Sequence, residues 1–296
     1  MKIEALRRYI IKQINTTGEA MAITLMYITN NPQLAKIAQD AGVDRIWIDL
    51  ETKGKEERQA GMNTVKSKHT IEDIRKLRPI VNKSKLMVRV NPLDDESKDE
   101  IDSVVNAGAD YIMLPMYKTR NEVERFIELV GGRAKTMLLL ETKEAQDCLL
   151  EYVDIEGIDE IHIGLNDLHL AHKKTFMFEL LTDGTVEGIA RILREHKIRF
   201  GFGGFARIGY GILPAENILT HHYALGSEMA ILSRGFCDAN ITADPETIKE
   251  IFIEGIANIR KKEAEILTYT SKDFEENYKI VCDRVLQIVE SIRSKK

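Results

Sequence analysis

"DRIWIDLE", residues 44–51, is a short apolar run that finishes in two acids. Ile46, Trp47, Ile48 and Leu50 read as a strand covered on both faces, as strands of a parallel sheet are. Asp49 and Glu51 stand two apart at its end, so they share one face, with Trp47 one layer deeper as a core residue and a natural reporter. The pattern recurs. "KLMVRVN" (85–91) ends with Arg89 and Asn91, "KTMLLLET" (135–142) with Glu141 and Thr142, and "DEIHIGLND" (159–167) with Asn166 and Asp167. "MAITLMYI" (21–28), "DYIMLPM" (110–116), "RFGFGGF" (199–205) and "YALGSEMAIL" (223–232) complete a set of eight strands.

Helix-period segments separate these runs. "NPQLAKIAQDAG" (31–42) carries Pro32 just inside its start and Gly42 at its end, as a helix should. "TIEDIRKLRPIVNK", "DESKDEIDSVVNAGAD" and "NEVERFIELVGG" follow in the same rhythm. Regular alternation of this kind gives an α/β fold with a parallel sheet, and the length suits a closed (β/α)8 TIM barrel. Residues 1–243 are expected to form the catalytic barrel and residues 244–296 an extra C-terminal helical segment. In that segment Ile248, Ile251, Phe252, Ile256 and Ile259 line one helix, and Phe274, Tyr278, Val281, Val285 and Ile288 line the next. The first is the last barrel helix. The second needs a further surface for its stripe, and a subunit contact in a homo-oligomer is the expected one, with packing on its own barrel as the alternative.

In 296 residues with 44% hydrophobic content there is ample core, and a net charge of -5 argues against a nucleic-acid partner. No apolar run reaches the roughly 18 residues that span a bilayer. The first twenty residues lack the apolar centre of a signal peptide, so a cytoplasmic protein without a membrane partner is expected. Cys148, Cys237 and Cys282 form no CxxC pair and read as buried structural thiols.

Active sites of such barrels lie at the C-terminal strand ends, where Asp49, Glu51, Arg89, Glu141 and Asp167 all fall. Carboxylates on neighbouring strands, with neither cysteine nor an obligatory histidine, suit a hard divalent ion, Mg²⁺ or Mn²⁺. An arginine beside such an ion can hold an oxyanion as charge develops.

"DRIWIDLE", "RVN", "GADYIMLPM", "MLLLET" and "IDEIHIGLNDL" stand in the order and near the spacing of the HpcH/HpaI aldolase and citrate lyase beta family. The chain resembles that family from about Gly18 to Arg234. The resemblance implies a TIM barrel acting as a metal-dependent carbon–carbon lyase on 2-oxo acids through a pyruvate enolate, with an aldehyde as second substrate. By position it makes Glu141 and Asp167 the metal ligands and Arg89 the enolate-stabilising group. It gives the substrate carboxylate the backbone of Gly164, Leu165, Asn166 and Asp167. Glu51, beside Asp49, would hold a metal-bound water. Family aldolases carry a histidine directly after the DxE element, where this chain has Thr52, and a long insertion before strand five that is absent here. The arginine-serine first strand of the citrate lyase branch is absent too, so no CoA ester is implied.

The stretch "TKGKEERQAGMNTVKSKHT" (52–70) is long for a βα connection, and long loops are often functional. Arg58, Gln59, Thr64, Ser67 and His69 make it a candidate lid, with His69 as a replacement proton carrier. The bland alternative is that Thr70 simply caps a helix.

"GFGGFA" (201–206) matches a dinucleotide fingerprint formally, but it follows a late strand. An anion site with Arg207, or glycines needed for close packing, are the two readings that remain. His162, His169 and His172 lie partly in a strand and partly beyond it, so a zinc site is not expected. His221 and His222 read as structural. The competing class is a barrel that binds an oxo acid or a phosphorylated ligand without turning it over, because the family histidine is missing.

Overall fold

The computed structural model describes residues 22–54, 68–238 and 244–294. Eight strands are present among the described residues: β1 (Thr24–Ile28), β2 (Arg45–Asp49), β3 (Lys85–Arg89), β4 (Tyr111–Leu114), β5 (Lys135–Leu140), β6 (Glu160–Ile163), β7 (Arg199–Phe205) and β8 (Met229–Leu232). They follow one another in chain order and close into a barrel, the TIM-barrel architecture expected from the alternation. By contact the chain parts into two units, residues 26–162 and the residues from Ile163 onward together with those up to Leu25. No helix among the described residues is long and apolar enough to cross a membrane.

In the first unit several helices have a local reason to start. Helix α1 (Pro32–Asp40) begins at Asn31, whose Oδ1 accepts the N–H groups of Gln33 and Leu34 at 2.9 and 3.2 Å. Helix α2 (Ile71–Leu77) begins at Thr70, with the Asp73 carboxylate receiving the Thr70 N–H at 2.8 Å. Helix α3 covers Ser97–Asn106, and helix α4 (Arg120–Val130) opens on the Thr119–Glu122 reciprocal cap and stops at Gly131 in left-handed backbone. Short helices α5 (Lys143–Asp147) and α6 (Leu149–Tyr152) follow β5.

Strand alternation puts Arg45, Trp47 and Asp49 on one face of β2, from its first residue to its last. Arg45 forms a two-pronged ion pair with Glu160, the first residue of β6, at 2.5 and 2.7 Å. Its guanidinium carbon stands 4.0 Å from the centre of the ring of Tyr111, the first residue of β4. Side chains from alternate strands thus make a charged layer at the N-terminal end of the strands, with both ion-pair side chains only 4% exposed.

The second unit holds α7 (Leu165–Ala171), α8 (Glu179–Thr182), α9 (Thr185–Glu195), α10 (Ala215–Leu225), α11 (Pro245–Ile266) and α12 (Ser271–Arg293). Two strand expectations need correction. Residues 223–225 belong to α10, and β8 starts only at Met229. Likewise β6 stops at Ile163, so Asn166 and Asp167 lie in the first turn of α7. The stripe of α12 is covered within the chain. Its buried residues are Asn277, Val281, Val285 and Val289, packed toward α10 and α8. The Asn217 amide donates to Asn277 Oδ1 at 2.8 Å, and the Tyr278 hydroxyl reaches the Thr182 carbonyl at 3.3 Å. Packing on its own barrel, the alternative offered by the sequence, buries Val281 and Val285 of that stripe. The buried phase runs through Asn277 and Val289, and Tyr278 is exposed.

Glu263 of α11 is buried and accepts the Ile23 N–H at 2.7 Å, the Tyr223 hydroxyl at 2.9 Å and Arg260 at 2.8 Å. It ties the start of β1 to α10 and α11. His221 and His222 are structural, as expected. The His222 ring lies flat on Phe202, 3.7 Å between centres, and its Nδ1 meets Ser227 Oγ at 2.7 Å. Burial lowers His221 from 6.5 to about 4. Its neutral form is therefore favoured by folding. That contribution is complete above pH 6.5 and is lost as pH falls toward 4, by about 3 kcal/mol from this one group. Urea unfolding at pH 7.5, 6 and 4.5 checks this. Wild type is expected to lose more stability on acidification than His221→Phe, by that margin, whereas parallel losses would contradict it.

Candidate active site

Asp49 and Arg89 end adjacent strands, and the parallel register pairs them directly. Arg89 donates from Nε to Asp49 Oδ1 and from Nη2 to Oδ2, both at 2.8 Å. Nη1 lies 3.2 Å from Glu51 Oε2. The guanidinium carbon stands 5.2 Å from the centre of the Trp47 ring, which is buried as expected. These contacts engage three of the five N–H donors of Arg89 and leave its fork oriented, since a guanidinium is planar and rigid. Burial alone would weaken its hold on the proton. The charges of Asp49 and Glu51, the hydrogen bond to Asp49 and the charge of Glu141 outweigh burial and hold its pKa above the ordinary guanidinium value. Arg89 is a fixed cation.

Asp49 and Glu51 are each 2% exposed. Asp49 Oδ1 also accepts the Glu51 N–H at 3.2 Å, so the turn after β2 is built around the ion pair. Asn91, at the end of β3, clamps the next residues. Its Oδ1 accepts the Thr52 and Lys53 N–H groups at 2.9 and 3.1 Å. Its own amide and backbone N–H donate to Glu100 of α3 at 2.7 and 3.1 Å. Thr52 is exposed, and its hydroxyl turns to Asn91 at 3.4 Å.

Glu141 follows β5 and is 3% exposed. Its Oε1 accepts the Met116 N–H at 3.2 Å. Met116 holds a φ of 56°, a left-handed conformation that few non-glycine residues adopt and that concentrates at functional sites. Thr142 has a helical role instead: it caps α5 through Ala145 N–H at 3.1 Å and donates to the Tyr117 carbonyl at 2.7 Å.

His69 Nδ1 accepts the backbone N–H of Asp49 at 3.0 Å. The ring is thereby set against the end of β2, and in its neutral form the proton sits on Nε2. Thr70 caps α2, as the plainer reading of this pair expects. The lid candidates Arg58, Gln59, Thr64 and Ser67 lie outside the described residues.

The remaining candidates belong to the second unit. Gly164 caps α7, Leu165 is buried, Asn166 is exposed and Asp167 is half-buried in the first turn. Leu165 explains one glycine of "GFGGFA": a Cβ on Gly203 would stand 2.7 Å from Leu165 Cδ1. A Cβ on Gly204 would stand 2.5 Å from the Ile231 carbonyl oxygen. These glycines lie inside β7 and serve close packing, not a dinucleotide loop. Arg207 follows that strand, half-buried over the ring of Tyr210. His162 is a strand residue with no exposed surface, and His169 Nδ1 meets the Leu165 carbonyl at 3.1 Å. No group of three or more His, Cys, Asp or Glu side chains among the described residues could hold a metal ion.

The structure thus brings Asp49, Glu51 and Arg89 into contact and sets Glu141 where its charge acts on Arg89. Sequence reading missed Glu100 and Met116, and it missed the Arg45–Glu160 pair. Counting back in twos from Asp49 through Trp47 would have flagged Arg45 as an inward-facing charge.

A family model for HpcH/HpaI aldolase/citrate lyase matches residues 23–176, just over half of the chain. Solved structures share the fold at low identity. An HpcH/HpaI aldolase from Desulfitobacterium hafniense DCB-2 aligns with a TM-score of 0.58 at 15% identity, over 81% of this chain and 96% of that one. A family protein from Burkholderia cenocepacia J2315 gives 0.60 at 12%, over 81% and 98%. The citrate synthase SbnG gives 0.57 at 18%, over 81% and 97%. No curated protein sequence matches the chain.

Proposed function

The chain belongs to the HpcH/HpaI aldolase/citrate lyase family, and from that membership we propose that it is a divalent-metal-dependent carbon–carbon lyase acting on 2-oxo acids through a pyruvate enolate. The observation that carries this reading is the Arg89 fork, locked on Asp49 and Glu51 at a strand end with N–H donors to spare. An oxyanion stabiliser works when it is oriented and charged before charge develops, because nothing then has to reorganise.

Glu141 and Asp167 would hold Mg²⁺ or Mn²⁺. The donor set fits such an ion, for both are carboxylates, and a hard cation that keeps several waters needs only one or two of them. When bound, the ion supplies Lewis-acid polarisation of the keto and carboxylate oxygens. The backbone of Gly164, Leu165, Asn166 and Asp167 would receive the substrate carboxylate. Arg89 would hold the enolate oxygen with the donors that Asp49 and Glu51 leave over. Asp49 and Glu51 would keep the fork aligned and hold the water that carries the proton, with His69, anchored on the Asp49 amide, as the other candidate carrier. The enolate carbon would then take up an aldehyde, or be formed by releasing one.

A binding-only barrel is the second reading. It is favoured by Thr52, whose hydroxyl is directed to Asn91 at the position where family aldolases carry their histidine.

Decarboxylation of oxaloacetate yields the same enolate and needs no aldehyde. It should require Mg²⁺ or Mn²⁺, stop with chelator, and fall about 10²–10³-fold in Glu141→Gln and in Asp167→Asn, the range for losing one preorganised electrostatic group. Variants that keep the full metal-dependent rate would remove these two residues from the ion.

A further inference from the structure

We propose that Arg207 and Tyr210 form a separate oxyanion site, one that takes a carboxylate or a phosphate group. The site lies just past β7, in the turn that leads to α10. Tyr210 N–H donates to the Arg207 carbonyl at 2.9 Å, and this turn carries the phenol ring to the guanidinium, 4.3 Å from ring centre to Cζ. The stem of Arg207 rests in a notch on α11: a Cβ built on Gly255 would come within 3.6 Å of Arg207 Cγ. The side chain is therefore held on both sides and does not trail into solvent.

What it lacks is an acceptor. Its Nε is buried and has no hydrogen-bond partner, and the guanidinium makes no ion pair among the described residues. Five other buried or half-buried arginines face a carboxylate, and the half-buried Arg194 donates to the Leu225 carbonyl. Arg45 faces Glu160, Arg78 faces Asp110, Arg89 faces Asp49, Arg199 faces Glu228 and Arg260 faces Glu263. Glu216, in the first turn of α10, accepts the Gly209 N–H on Oε2 at 3.0 Å instead. A buried donor without an acceptor calls for an explanation, and on a guanidinium with no carboxylate partner an anion supplies one.

The chemistry of that ligand follows from the group. The tyrosine ring occupies one face of the guanidinium by cation–π attraction, which leaves the N–H edge in its plane. That edge matches the paired oxygens of a carboxylate or phosphate. Tyr210 is 55% exposed and Arg207 is half-buried, so the pair lies at the surface with Nε on its inner side. The glycine-rich strand beside it is consumed by packing, so this arginine, not the glycines, is the recognition element. Anion binding at this pair does not depend on the lyase reading; only the assignment of the anion's source rests on it.

Isothermal titration of the full chain with inorganic phosphate and with malonate tests it. Saturable binding is expected in wild type, at least tenfold weaker in Arg207→Gln, several-fold weaker in Tyr210→Leu, and partly kept in Arg207→Lys, which retains charge without the fork. The source of the anion is read in parallel from turnover of pyruvate and of an oxo acid bearing a distal carboxylate. A KM rise in Arg207→Gln confined to the second acid assigns the site to a substrate tail. Unchanged KM for both, with phosphate binding lost, assigns it to a free anion. Equal affinity in wild type and Arg207→Gln, or no binding of either probe to wild type, overturns the proposal.

Discussion

Arg89→Ala is expected to lower the rate of enolate formation by about 10²–10³-fold and to destabilise the fold by about 3–5 kcal/mol. Both effects come from the same geometry. The arginine is the partner of two carboxylates that are almost completely buried, and its own side chain is only 12% exposed. Removing it strands Asp49 and Glu51 in a low-dielectric setting beside Glu141, whose charge also acts on this arginine. Arg89→Lys separates the two effects. It restores a positive charge, so most of the stability should return. It cannot reproduce the fork that meets both oxygens of Asp49, so the rate should stay low. Urea unfolding and oxaloacetate decarboxylation on the same preparations measure both quantities. A lysine variant with wild-type rate would show that charge alone suffices and would sink the claim that orientation matters.

The second large effect lies at the opposite end of the strands. Glu160→Ala should destabilise the protein by about 3–5 kcal/mol, because it leaves the Arg45 guanidinium buried and unpaired. The double change Arg45→Met with Glu160→Leu should cost less than the single one. Apolar side chains of similar volume avoid the desolvation penalty that the ion pair only just offsets. The surface pair Lys36–Asp40, with 65% and 36% exposed side chains, is the control: breaking it should shift stability by no more than about 1 kcal/mol. Denaturant unfolding of the four proteins decides the matter. A Glu160→Ala protein as stable as the Lys36 control would mean that the pair is hydrated or that the layer repacks around it.

The fold was legible because its strands are apolar on both faces and each is followed at once by a polar group. The same feature exposed Asp49, Glu51, Arg89 and Glu141, since charges directly after a buried strand stand out by contrast. It failed where the contrast vanished. Helix α10 is buried on several sides, with Ile218, Leu219, Thr220, His221, His222, Tyr223 and Leu225 all covered, so its helical period disappears and its end reads as strand. The tail helix α12 shows one apolar stripe too many for a barrel, and sequence alone left open whether α8 and α10, which pack on Val281 and Val285, or another surface would meet it. Contacts between residues far apart in the chain were invisible as well. Arg45 and Glu160 are separated by 115 positions, and the Asn91 clamp on Thr52 and Lys53 depends on a strand register that no local pattern encodes.

The central claim is that this barrel forms a pyruvate enolate on the Arg89 fork with a divalent ion. Proton NMR of deuterium uptake into the methyl group of pyruvate tests it most directly, because exchange needs neither an aldehyde nor a leaving group. The account predicts exchange that requires Mg²⁺ or Mn²⁺, stops with chelator, and is lost in Arg89→Ala and Asp167→Ala. Tight binding of oxalate, an enolate mimic, with no exchange under either metal would contradict it and would leave the barrel as an oxo-acid binder.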